Sequence, residues 1–400
     1  MKSGCYVCGS EKLERVFDAG LQPITNRFLK NPGDAEATYP LKVDQCPACG
    51  LMQTREPFPA AELQPAYDWV TYSEPEAHLD ELADIILKLP GIGATSIAAG
   101  VSFKDDTTLD RLTNLGIENR WRLDLKTDLK LDWVHGGHGA ETIQMYLTRE
   151  RAAAVAAHRG AADVLLVRHI AEHAYNPKEF LAALVALTKP GGYIVIEVPD
   201  CQRALDAGDC TTLWEEHTLY FTPATFAQTL RLAGLEPVFL HNYIYPFENS
   251  LVAILRSAPA GAPDAAVAGS ERARGQAFAA QLAKRREGFR RVLGEYRRSK
   301  GRIALFGAGH LASTFLTVMG VADLIDFVVD DNPNKRGLYM PGSHLPIVGS
   351  DGLRSGEIKL CLLGLNPLSE HKVMERQQAF IDGGGEFKSI FPSSAVALAL

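Results

Sequence analysis

The sequence predicts an α/β protein with two separate sheets and a small zinc-binding lobe at its N-terminus. Three observations lead to this prediction: two Cys-x-x-Cys pairs near the N-terminus, strand-like runs that alternate with helical stretches from about residue 94, and a second alternating region that starts at Gly301. Such alternation is typical of parallel sheets covered by helices. We expect a zinc lobe, a central sheet domain, a linker with a long helix, and a C-terminal sheet domain, at residues 1–75, 76–257, 258–300 and 301–400.

The four N-terminal cysteines predict a metal centre. Cys5 and Cys8 form one Cys-x-x-Cys pair, and Cys46 and Cys49 form the other. Two such pairs complete a tetrahedral shell of four thiolates around Zn²⁺. A glycine follows each pair and relieves crowding where the backbone turns around the metal. Because all four positions are thiolates, we expect a structural zinc with no open position; four unrelated free thiols are the alternative.

Composition narrows the class of protein. The 400-residue chain has a formal net charge of −7, which gives no reason to expect a nucleic-acid partner. It has no run of 18 apolar residues and no basic N-terminal region followed by an apolar core, so we expect neither a membrane segment nor a secretion signal. The other cysteines, Cys201, Cys210 and Cys361, are scattered, which fits a reduced, cytoplasmic compartment.

Apolar patterning predicts six strands and one clear helix in the central segment. The helix covers 177–187, where four apolar residues recur at helical spacing, and a Lys-Pro-Gly-Gly turn is expected after it. The strands are expected at Ser96–Val101, Trp121–Leu125, Asp163–Val167, Tyr193–Val198, Glu236–His241 and Ser250–Leu255.

A long helix and a second α/β unit follow. The helix is expected over 271–300, and its many basic residues are interpreted as a solvated face rather than a phosphate patch. The strand Arg302–Phe306 then runs into a Gly-Ala-Gly turn, and the strand Asp326–Val329 ends in acidic residues, which is the layout of a nucleotide-binding half-sheet. Ala312 stands where the third glycine is usual, so a tight structural turn is an equally good interpretation. A further strand is expected at Lys359–Leu363.

The segment 214–223 is the strongest candidate for chemistry. It follows the strand that ends at Asp200, and open α/β sheets bind ligands at that edge. Glu216 beside His217 is a general-base arrangement in which the carboxylate orients the ring. A surface loop in which Thr222 caps a helix is an equally good interpretation. Two aromatic residues flank the pair, Trp214 and Tyr220.

Together these features resemble the sugar C-methyltransferases of deoxysugar pathways. The resemblance rests on the four-cysteine lobe, the Val-Pro-Asp strand end, the Glu-His loop followed by Tyr-Phe, and the Phe-Gly-Ala-Gly turn of the C-terminal unit. It extends over nearly the whole chain in the family's order. The most specific match is the run 324–337 with 341–347, and the segments 22–28, 67–73 and 168–173 also fit.

The resemblance implies a fold, cofactors and a reaction. The fold is a class I methyltransferase-like Rossmann sheet with a second, Rossmann-like C-terminal domain. The cofactors are structural Zn²⁺ and S-adenosylmethionine (SAM), and the substrate is a nucleotide sugar, dTDP- or GDP-linked. A histidine removes the proton at C3 of a 4-keto sugar, and the enolate takes the methyl group.

The implied roles fall on particular residues of this sequence. His217 is the base and Glu216 its partner, with Trp214 and Tyr220 beside them. The implied SAM contacts are Gly100, Ser102, Asp105, Asp124, Arg168 and His169. The implied nucleotide-sugar contacts are Gly307, Gly309, His310, Asn332, Lys335, Asn249 and Ser250.

The SAM loop departs most from the family pattern. Ser102 and Asp106 replace glycines that let the backbone approach the cofactor, while Phe103 and Lys104 add bulk. Trp214 stands where the family usually has tyrosine, so no titratable hydroxyl is present there. Further departures are the loss of a histidine and two glycines before Ser250, and Ser313 in place of a lysine.

Three functions therefore stay open. The first is a SAM-dependent C-methyltransferase with an unusual cofactor loop. The second keeps the His217 base but not SAM, and epimerises or isomerises a keto sugar by reprotonating its enolate. The third is a non-catalytic sugar-binding protein, against which the intact Glu216–His217 pair argues. The sequence gives neither the sugar nor the oligomeric state, and SAM binding separates the first two functions.

Overall fold

The N-terminal lobe is an antiparallel sheet that borrows a strand from the central segment. The computed structural model describes residues 4–64, 66–67, 69, 74–131 and 139–400, so most of the matching segment 67–73 lies outside the described residues. The lobe's strands are β1 (Glu14–Pro23), β2 (Thr38–Gln45) and β3 (Met52–Thr54). The fourth strand is β8 (Leu219–Tyr220), which pairs with β3 and directly follows His217. The lobe therefore holds the predicted catalytic loop through a strand ladder.

The central sheet has six strands in a mixed arrangement. Its strands are β4 (Ala98–Gly100), β5 (Arg120–Arg122), β6 (Ala162–Arg168), β7 (Thr188–Asp200), β9 (Leu235–Tyr243) and β10 (Asn249–Ser257). Their order is β5-β4-β6-β7-β10-β9, and β10, the last in sequence, runs antiparallel between β7 and β9. This insertion of the last strand is the class I methyltransferase-like topology, and the predicted fold is confirmed.

Helices surround this sheet. The helix α6 (Pro177–Leu187) begins and ends at the predicted residues and buries Phe180 and Leu184 against the sheet. The Lys-Pro-Gly-Gly stretch after it is the start of β7 rather than a separate tight turn, which corrects the prediction there. The other helices before the linker are α1 (Ala60–Leu63), α2 (Leu79–Leu87), α3 (Asp106–Asn114), α4 (Ile143–Tyr146), α5 (Arg149–Arg159), α7 (Gln202–Ala207) and α8 (Pro223–Leu232).

The long helix α9 (Ala265–Ser299) connects the central and C-terminal units. It buries the predicted apolar stripe, with Phe278 and Leu293 fully enclosed. These residues share one core with Ile24 of the N-terminal lobe, Tyr220 of β8 and Phe315 of the C-terminal unit. The three parts of the chain are thus packed around a common apolar centre.

The C-terminal unit is a parallel sheet in a Rossmann-like order. Its strands are β11 (Arg302–Phe306), β12 (Phe327–Val329), β13 (Ile347–Val348), β14 (Ile358–Leu363) and β15 (Glu386–Ser389). Their order is β13-β12-β11-β14-β15 with every pairing parallel. The helices are α10 (His310–Val318), α11 (Glu370–Arg376) and α12 (Gln378–Asp382). Within the described residues, no helix is long and apolar enough to cross a membrane.

Candidate active site and metal centre

The four predicted cysteine ligands converge on one point. The Sγ atoms of Cys5 and Cys49 lie 3.6 Å apart, those of Cys8 and Cys46 lie 3.5 Å apart, and all four lie within 4.8 Å of one another. Tetrahedral zinc with Zn–S bonds of about 2.3 Å requires sulfur–sulfur distances of about 3.8 Å. The donor set therefore fits Zn²⁺, with all four positions filled by protein.

The glycines after each pair shape this centre. Gly9 and Gly50 have φ angles of +80° and +74°, and their N–H groups donate to the carbonyls of Cys5 and Cys46. A Cβ on Gly50 would lie 2.8 Å from the Cβ of Glu271 on α9, so this glycine also permits close packing. The metal centre therefore packs closely against α9 at Gly50.

The lobe also positions the loop that carries His217. The hydroxyl of Thr54, at the end of β3, donates to the His217 carbonyl at 2.8 Å, and the Thr54 N–H donates to the Thr218 carbonyl. On the other side, the Thr218 N–H and hydroxyl donate to the carbonyl of Glu172 in the central domain. The loop is therefore held between the zinc lobe and the central sheet.

The side chain of His217 is buried and neutral. It is 7% exposed, and its ring lies 4.9 Å from the His173 ring and 5.1 Å from the Trp214 ring, centre to centre. Burial lowers the pKa of His217 well below its usual range, and the nearby His173 and His310 lower it further. Its Nδ1 atom has no hydrogen-bond partner among the described residues. An imidazole in this state is able to accept a proton.

Glu216 is not arranged as expected from the sequence. The described residues show no hydrogen bond between its carboxyl group and the His217 ring, so the predicted orienting contact is absent. Burial raises the pKa of Glu216 well above its usual range, and the neighbouring Glu141 and Glu215 carboxylates add to this. Glu216 is 5% exposed and therefore favours the protonated, uncharged form.

The two aromatic residues of the loop have structural contacts. Trp214 stacks on the His310 ring of α10 at 4.4 Å between ring centres, which links the loop to the C-terminal unit. The Tyr220 hydroxyl donates to the Trp214 carbonyl at 3.3 Å, and Tyr220 is 1% exposed. Thr222 caps α8, as the alternative interpretation predicted. The segment 214–223 therefore begins a helix and also carries residues of the candidate site.

His217 lines a cleft between the central and C-terminal units. The cleft has a volume of about 150 Å³ and is bounded by residues after β7, by the start of α10 and by the chain after β15. Arg203 in its wall donates through Nη1 to the Tyr245 carbonyl at 2.8 Å, while its Nη2 is buried without a partner among the described residues. A guanidinium nitrogen in this state is a ready donor to an anion. The cleft walls include Asp200, Arg203, Trp214, His217, His310 and Ser393.

Most of the predicted nucleotide-sugar residues lie outside the walls of this cleft. His310 lines it, and its Nε2 lies 3.1 Å from the Thr211 carbonyl. At the Gly307–Gly309 turn, the Ala308 N–H donates to the Asp330 carboxylate at 2.9 Å, and Lys335 pairs with the same carboxylate at 3.1 Å. One backbone N–H group of this turn is thus satisfied by a carboxylate of the chain itself.

Four of the predicted substrate contacts have internal partners or face inward. Gly307 has a φ angle of +102° and donates to the Val329 carbonyl, as a tight structural turn requires. The Asn332 N–H donates to Asp330, and the Asn249 amide donates to Asp200 at 3.2 Å. Ser250 is fully buried, and its hydroxyl has no partner among the described residues.

The predicted cofactor loop after β4 is closed by its own carboxylate. Asp105 is fully buried and accepts hydrogen bonds from the N–H groups of Val101 at 2.7 Å, Ser102 at 2.8 Å and Arg168 at 2.9 Å. A Cβ on Gly100 would lie 2.9 Å from the Asp105 Cβ. The backbone donors of the loop therefore face the chain itself.

A charged network fills the space beside this loop. The Lys104 Nζ lies 3.0 Å from Glu74 and 2.8 Å from Glu141, with its side chain 9% exposed. Arg168 pairs with Glu197 at 2.6 Å, and His169 Nε2 lies 3.2 Å from the same carboxylate. Although burial opposes the charge on His169, the surrounding carboxylates raise its pKa well above the usual range. These cations and carboxylates neutralise one another.

Comparison with known proteins identifies the domains. Three family models match in order: a zinc-binding domain at residues 5–63, a methyltransferase domain at 95–240 and a C-methyltransferase C-terminal domain at 264–392. In the content and order of its domains the chain is similar to C-methyltransferases. The C-methyltransferase NovU of Streptomyces niveus is 25% identical over 412 residues, which cover 98% of this chain and 96% of NovU.

The solved structures that are similar to this chain cover less than half of it in the two cases that follow. The 1,6-didemethyltoxoflavin-N1-methyltransferase of Burkholderia thailandensis is 16% identical over 46% of this chain and 79% of its own, with a TM-score of 0.30. A SAM-dependent methyltransferase from Aquifex aeolicus is 13% identical over 45% of this chain and 94% of its own, with a TM-score of 0.29. At these scores the structures carry no further inference.

The matched domains imply zinc and SAM as the cofactors of the family. The four cysteines fit zinc. Beside the loop after β4, Lys104 borders a space of about 20 Å³ with Glu141 and Glu172, and the predicted cofactor residues Gly100, Ser102, Asp105 and Asp124 do not line this space. Asp124, the predicted ribose contact, instead accepts from Thr127 at the surface.

The sequence predicted only part of the charged network beside the loop after β4. Lys104 stands out as a departure from the family pattern, but its partners Glu74 and Glu141 lie in segments without a motif. Arg203 follows the end of β7, at the edge of the sheet where ligands are expected to bind. This position is the only feature of the sequence that indicated Arg203 as a site residue.

Proposed function

We propose that this C-methyltransferase-like protein enolises a nucleotide-linked 4-keto sugar, with His217 as the base. The observation that carries the proposal is a buried, neutral imidazole in the wall of an interdomain cleft. Clefts of this kind between domains are the usual place for small-molecule sites. A base removes the proton beside a ketone, and the resulting enolate is the intermediate of the family's implied reaction.

The cleft offers a place for both ends of such a substrate. Arg203 provides an unpartnered nitrogen for a diphosphate, whether the nucleotide is dTDP or GDP. Trp214 and His173 pack against the His217 ring and restrict its orientation. We place the sugar against His217, with the nucleotide directed toward the C-terminal unit.

Two products are compatible with this enolate. C-methylation is supported by the matched C-methyltransferase C-terminal domain and by the name of NovU, and it requires SAM as the methyl source. Epimerisation or isomerisation without SAM is the alternative, and it rests on the altered residues Ser102, Phe103, Lys104 and Asp106 of the SAM loop. Both products require the same base.

The base is tested by solvent deuterium exchange. The substrates are dTDP-4-keto-6-deoxyglucose and GDP-4-keto-6-deoxymannose, and deuterium at the carbon beside the ketone is followed by NMR. We expect His217→Ala and His217→Asn to slow exchange by about 10²–10⁴-fold, the usual contribution of a general base. Circular dichroism and nucleotide-sugar binding should stay unchanged. Exchange that survives both substitutions would overturn the proposal.

A further inference from the structure

We propose that Glu172, His173 and His217 bind a second divalent metal ion, of the zinc class, and that the bound ion takes His217 out of use as a base. The metal site itself stands on the geometry of three buried side chains. Only its inhibitory effect rests on the function proposed above for His217.

Three donor atoms, one from each side chain, lie close together. The donors are a ring nitrogen of His173, a ring nitrogen of His217 and a carboxylate oxygen of Glu172, and all three lie within 4.8 Å of one another. Ligands of one tetrahedral zinc are about 3.4 Å apart, given bonds of about 2.0–2.2 Å, so movements of up to about 1 Å close the set around one ion. Glu172, His173 and His217 are 1%, 4% and 7% exposed.

Two of these side chains carry a buried polar atom with no hydrogen-bond partner among the described residues. These atoms are Oε2 of Glu172 and Nδ1 of His217. Both side chains line a cavity of about 20 Å³, which is about the space of one water molecule or one ion. Buried polar atoms are nearly always satisfied, so two open atoms beside one small space point to a shared ligand.

The backbone fixes the tautomer of His173 that a metal requires. Its Nδ1 atom lies 2.9 Å from the Glu216 carbonyl oxygen, and a carbonyl oxygen only accepts, so Nδ1 carries the proton. The Nε2 atom therefore has a free lone pair, and it lies 3.7 Å from Oε1 of Glu172. Metal-binding histidines usually donate their other ring N–H to a carbonyl or carboxylate group in this way.

Hydrogen bonds join the two chain segments that carry the ligands. Glu172 and His173 lie in the turn after β6, and His217 lies just before β8. The Thr218 N–H donates to the Glu172 carbonyl at 2.9 Å, and the Thr218 hydroxyl donates to the Ala174 carbonyl at 2.9 Å. The ligands are therefore held near one another before an ion binds, which lowers the entropy cost of binding.

The charge around the cavity favours a cation. The described walls carry the carboxyl groups of five glutamates but one lysine, Lys104, which is already paired with two of them. Crowded carboxyl groups raise the cost of ionising one another, and a dication offsets that cost. The five are Glu74, Glu141, Glu172, Glu216 and Glu248.

The donor set selects the kind of ion. Two imidazole nitrogens and one carboxylate oxygen suit Zn²⁺, Co²⁺ and similar dications, whereas Mg²⁺ and Ca²⁺ prefer oxygen ligands alone. Three protein ligands leave a fourth position open, unlike the four-cysteine centre, which has none. The cavity shares Trp214, His217 and Glu248 with the large cleft, which is the route by which we expect the ion to enter.

A metal ion on His217 prevents this side chain from taking a proton. With the ion on Nδ1, the neutral ring keeps its proton on Nε2, and neither nitrogen has a lone pair left for the C–H proton of the sugar. Occupancy of the site and enolisation of a keto sugar are therefore mutually exclusive. The protein should thus be sensitive to free zinc-class ions while its four-cysteine zinc stays in place.

The site is tested by adding CoCl₂ to the full-length protein that already contains zinc at its four cysteines. We expect about one Co²⁺ per chain to bind to the three ligands, with visible d–d absorption but without the thiolate-to-cobalt charge-transfer band that cysteine ligands give. In crystals soaked in the same salt, the anomalous signal of cobalt should lie between Glu172, His173 and His217. No bound Co²⁺, or a cobalt signal elsewhere, would overturn the proposal.

Glu172→Gln and His173→Asn each remove one ligand. Both should weaken Co²⁺ binding by more than about 100-fold, since even the loss of a group that only orients a ligand costs about 10–100-fold. Their four-cysteine zinc should stay in place. The matched control is Glu370→Gln, which alters a buried carboxylate that accepts from Ser389 and Ser394 and should bind Co²⁺ as the wild type does.

Equal Co²⁺ binding in Glu172→Gln and Glu370→Gln would contradict the assignment of the ligands. Circular dichroism checks that each variant is folded. If Glu172→Gln does not fold, the position of cobalt in crystals of the wild-type protein decides for or against the site.

Deuterium exchange into the two keto sugars tests the inhibition. We expect exchange to fall in proportion to the fraction of chains that hold Co²⁺, and to return when a mild chelator removes the ion. Unchanged exchange with cobalt bound at the three residues would show that the inhibitory role is wrong. Absence of exchange in cobalt-free protein would instead overturn the function proposed for His217, and the cobalt count and anomalous signal would still decide the metal site.

Discussion

The metal centre and the loop after β4 are two regions at which the sequence predicts a bound group, zinc at the first and SAM at the second. At the metal centre, four sulfur atoms surround a point at distances that fit zinc. At the loop, the Val101 N–H donates to the Asp105 carboxylate and Lys104 pairs with Glu141. The sulfur atoms of the first region point to one common centre, whereas the polar groups of the second are paired with one another.

The difference shows what a sequence motif can predict. In the metal centre the motif residues are themselves the ligands, so their identity states the chemistry. In a glycine-rich loop the motif describes an empty space bounded by backbone, and one side chain is enough to fill it. Gly100 stands where the family pattern begins with an acidic residue, and a Cβ there would lie 2.9 Å from the Asp105 Cβ.

The largest expected effect is at the metal centre. Cys8→Ser removes one thiolate, so bound zinc should fall from about one per chain to a small fraction of that value. Structural zinc in isolated fingers contributes about 10–16 kcal/mol, and we expect the N-terminal lobe to unfold at lower urea than the rest of the chain. Metal analysis and limited proteolysis of the lobe measure the two effects.

Cys361→Ser is the matched control for this change. Cys361 is buried in β14, remote from the four ligands, so its substitution should leave the zinc content unchanged. A Cys8→Ser protein that keeps full zinc and resists proteolysis would show that the four cysteines are not a metal centre.

The second effect is expected at the loop. Lys104→Met leaves Glu74 and Glu141 without their shared cation, and we expect the free energy of unfolding to fall by about 3–5 kcal/mol, as for a broken buried pair. Adding Glu141→Gln should restore part of that loss, because one unpaired charge is then removed. Urea unfolding of the single and double variants measures the coupling between the two side chains.

The control for Lys104→Met is Lys372→Met, at an exposed position of α11. It should change stability by no more than about 0.5 kcal/mol. Equal losses in Lys104→Met and Lys372→Met would mean that the ion pairs at the loop contribute nothing, and the contrast with the metal centre would disappear.

The fold was largely predictable because long apolar patterns fix the longer elements. The helix Pro177–Leu187 lies at the predicted residues because it buries apolar side chains at helical spacing, and the strand Arg302–Phe306 does so because it is a continuous run buried from Ile303 to Phe306. The strand Leu219–Tyr220 was not predicted, because two residues carry no periodicity and the partner strand alone makes them a strand. The domain boundaries inferred from composition stay predictions.

The site was predictable only where its residues lie close in sequence. The four cysteines and His217 were found from local motifs. The contact partners of Lys104 were not, because Glu74 and Glu141 lie in irregular segments that only the folded chain brings together. At the Gly307–Gly309 turn, the contact with Asp330 was likewise not predicted, and the diphosphate site expected there stays a prediction.

The smallest expected effect tests whether the two regions communicate through the loop of His217. Thr54→Val removes the hydroxyl that donates to the His217 carbonyl, at nearly constant volume. We expect a loss of about 1 kcal/mol in unfolding free energy, the usual contribution of one hydrogen bond. Deuterium exchange into the keto sugar should slow several-fold, because the base is displaced although its ring is unchanged. The zinc content should stay at about one per chain, since the ligands themselves are untouched.

The comparison for Thr54→Val is Thr113→Val, which removes a hydroxyl that donates to the Leu109 carbonyl within α3. That bond lies away from the loop of His217, so exchange should not change even if stability falls by a similar amount. The pH dependence of exchange should keep its shape in Thr54→Val, because the substitution moves the base without altering the charges around it. If Thr54→Val and Thr113→Val slow exchange equally, the metal lobe supports the fold without positioning the base, and the ladder between β3 and β8 has no part in catalysis.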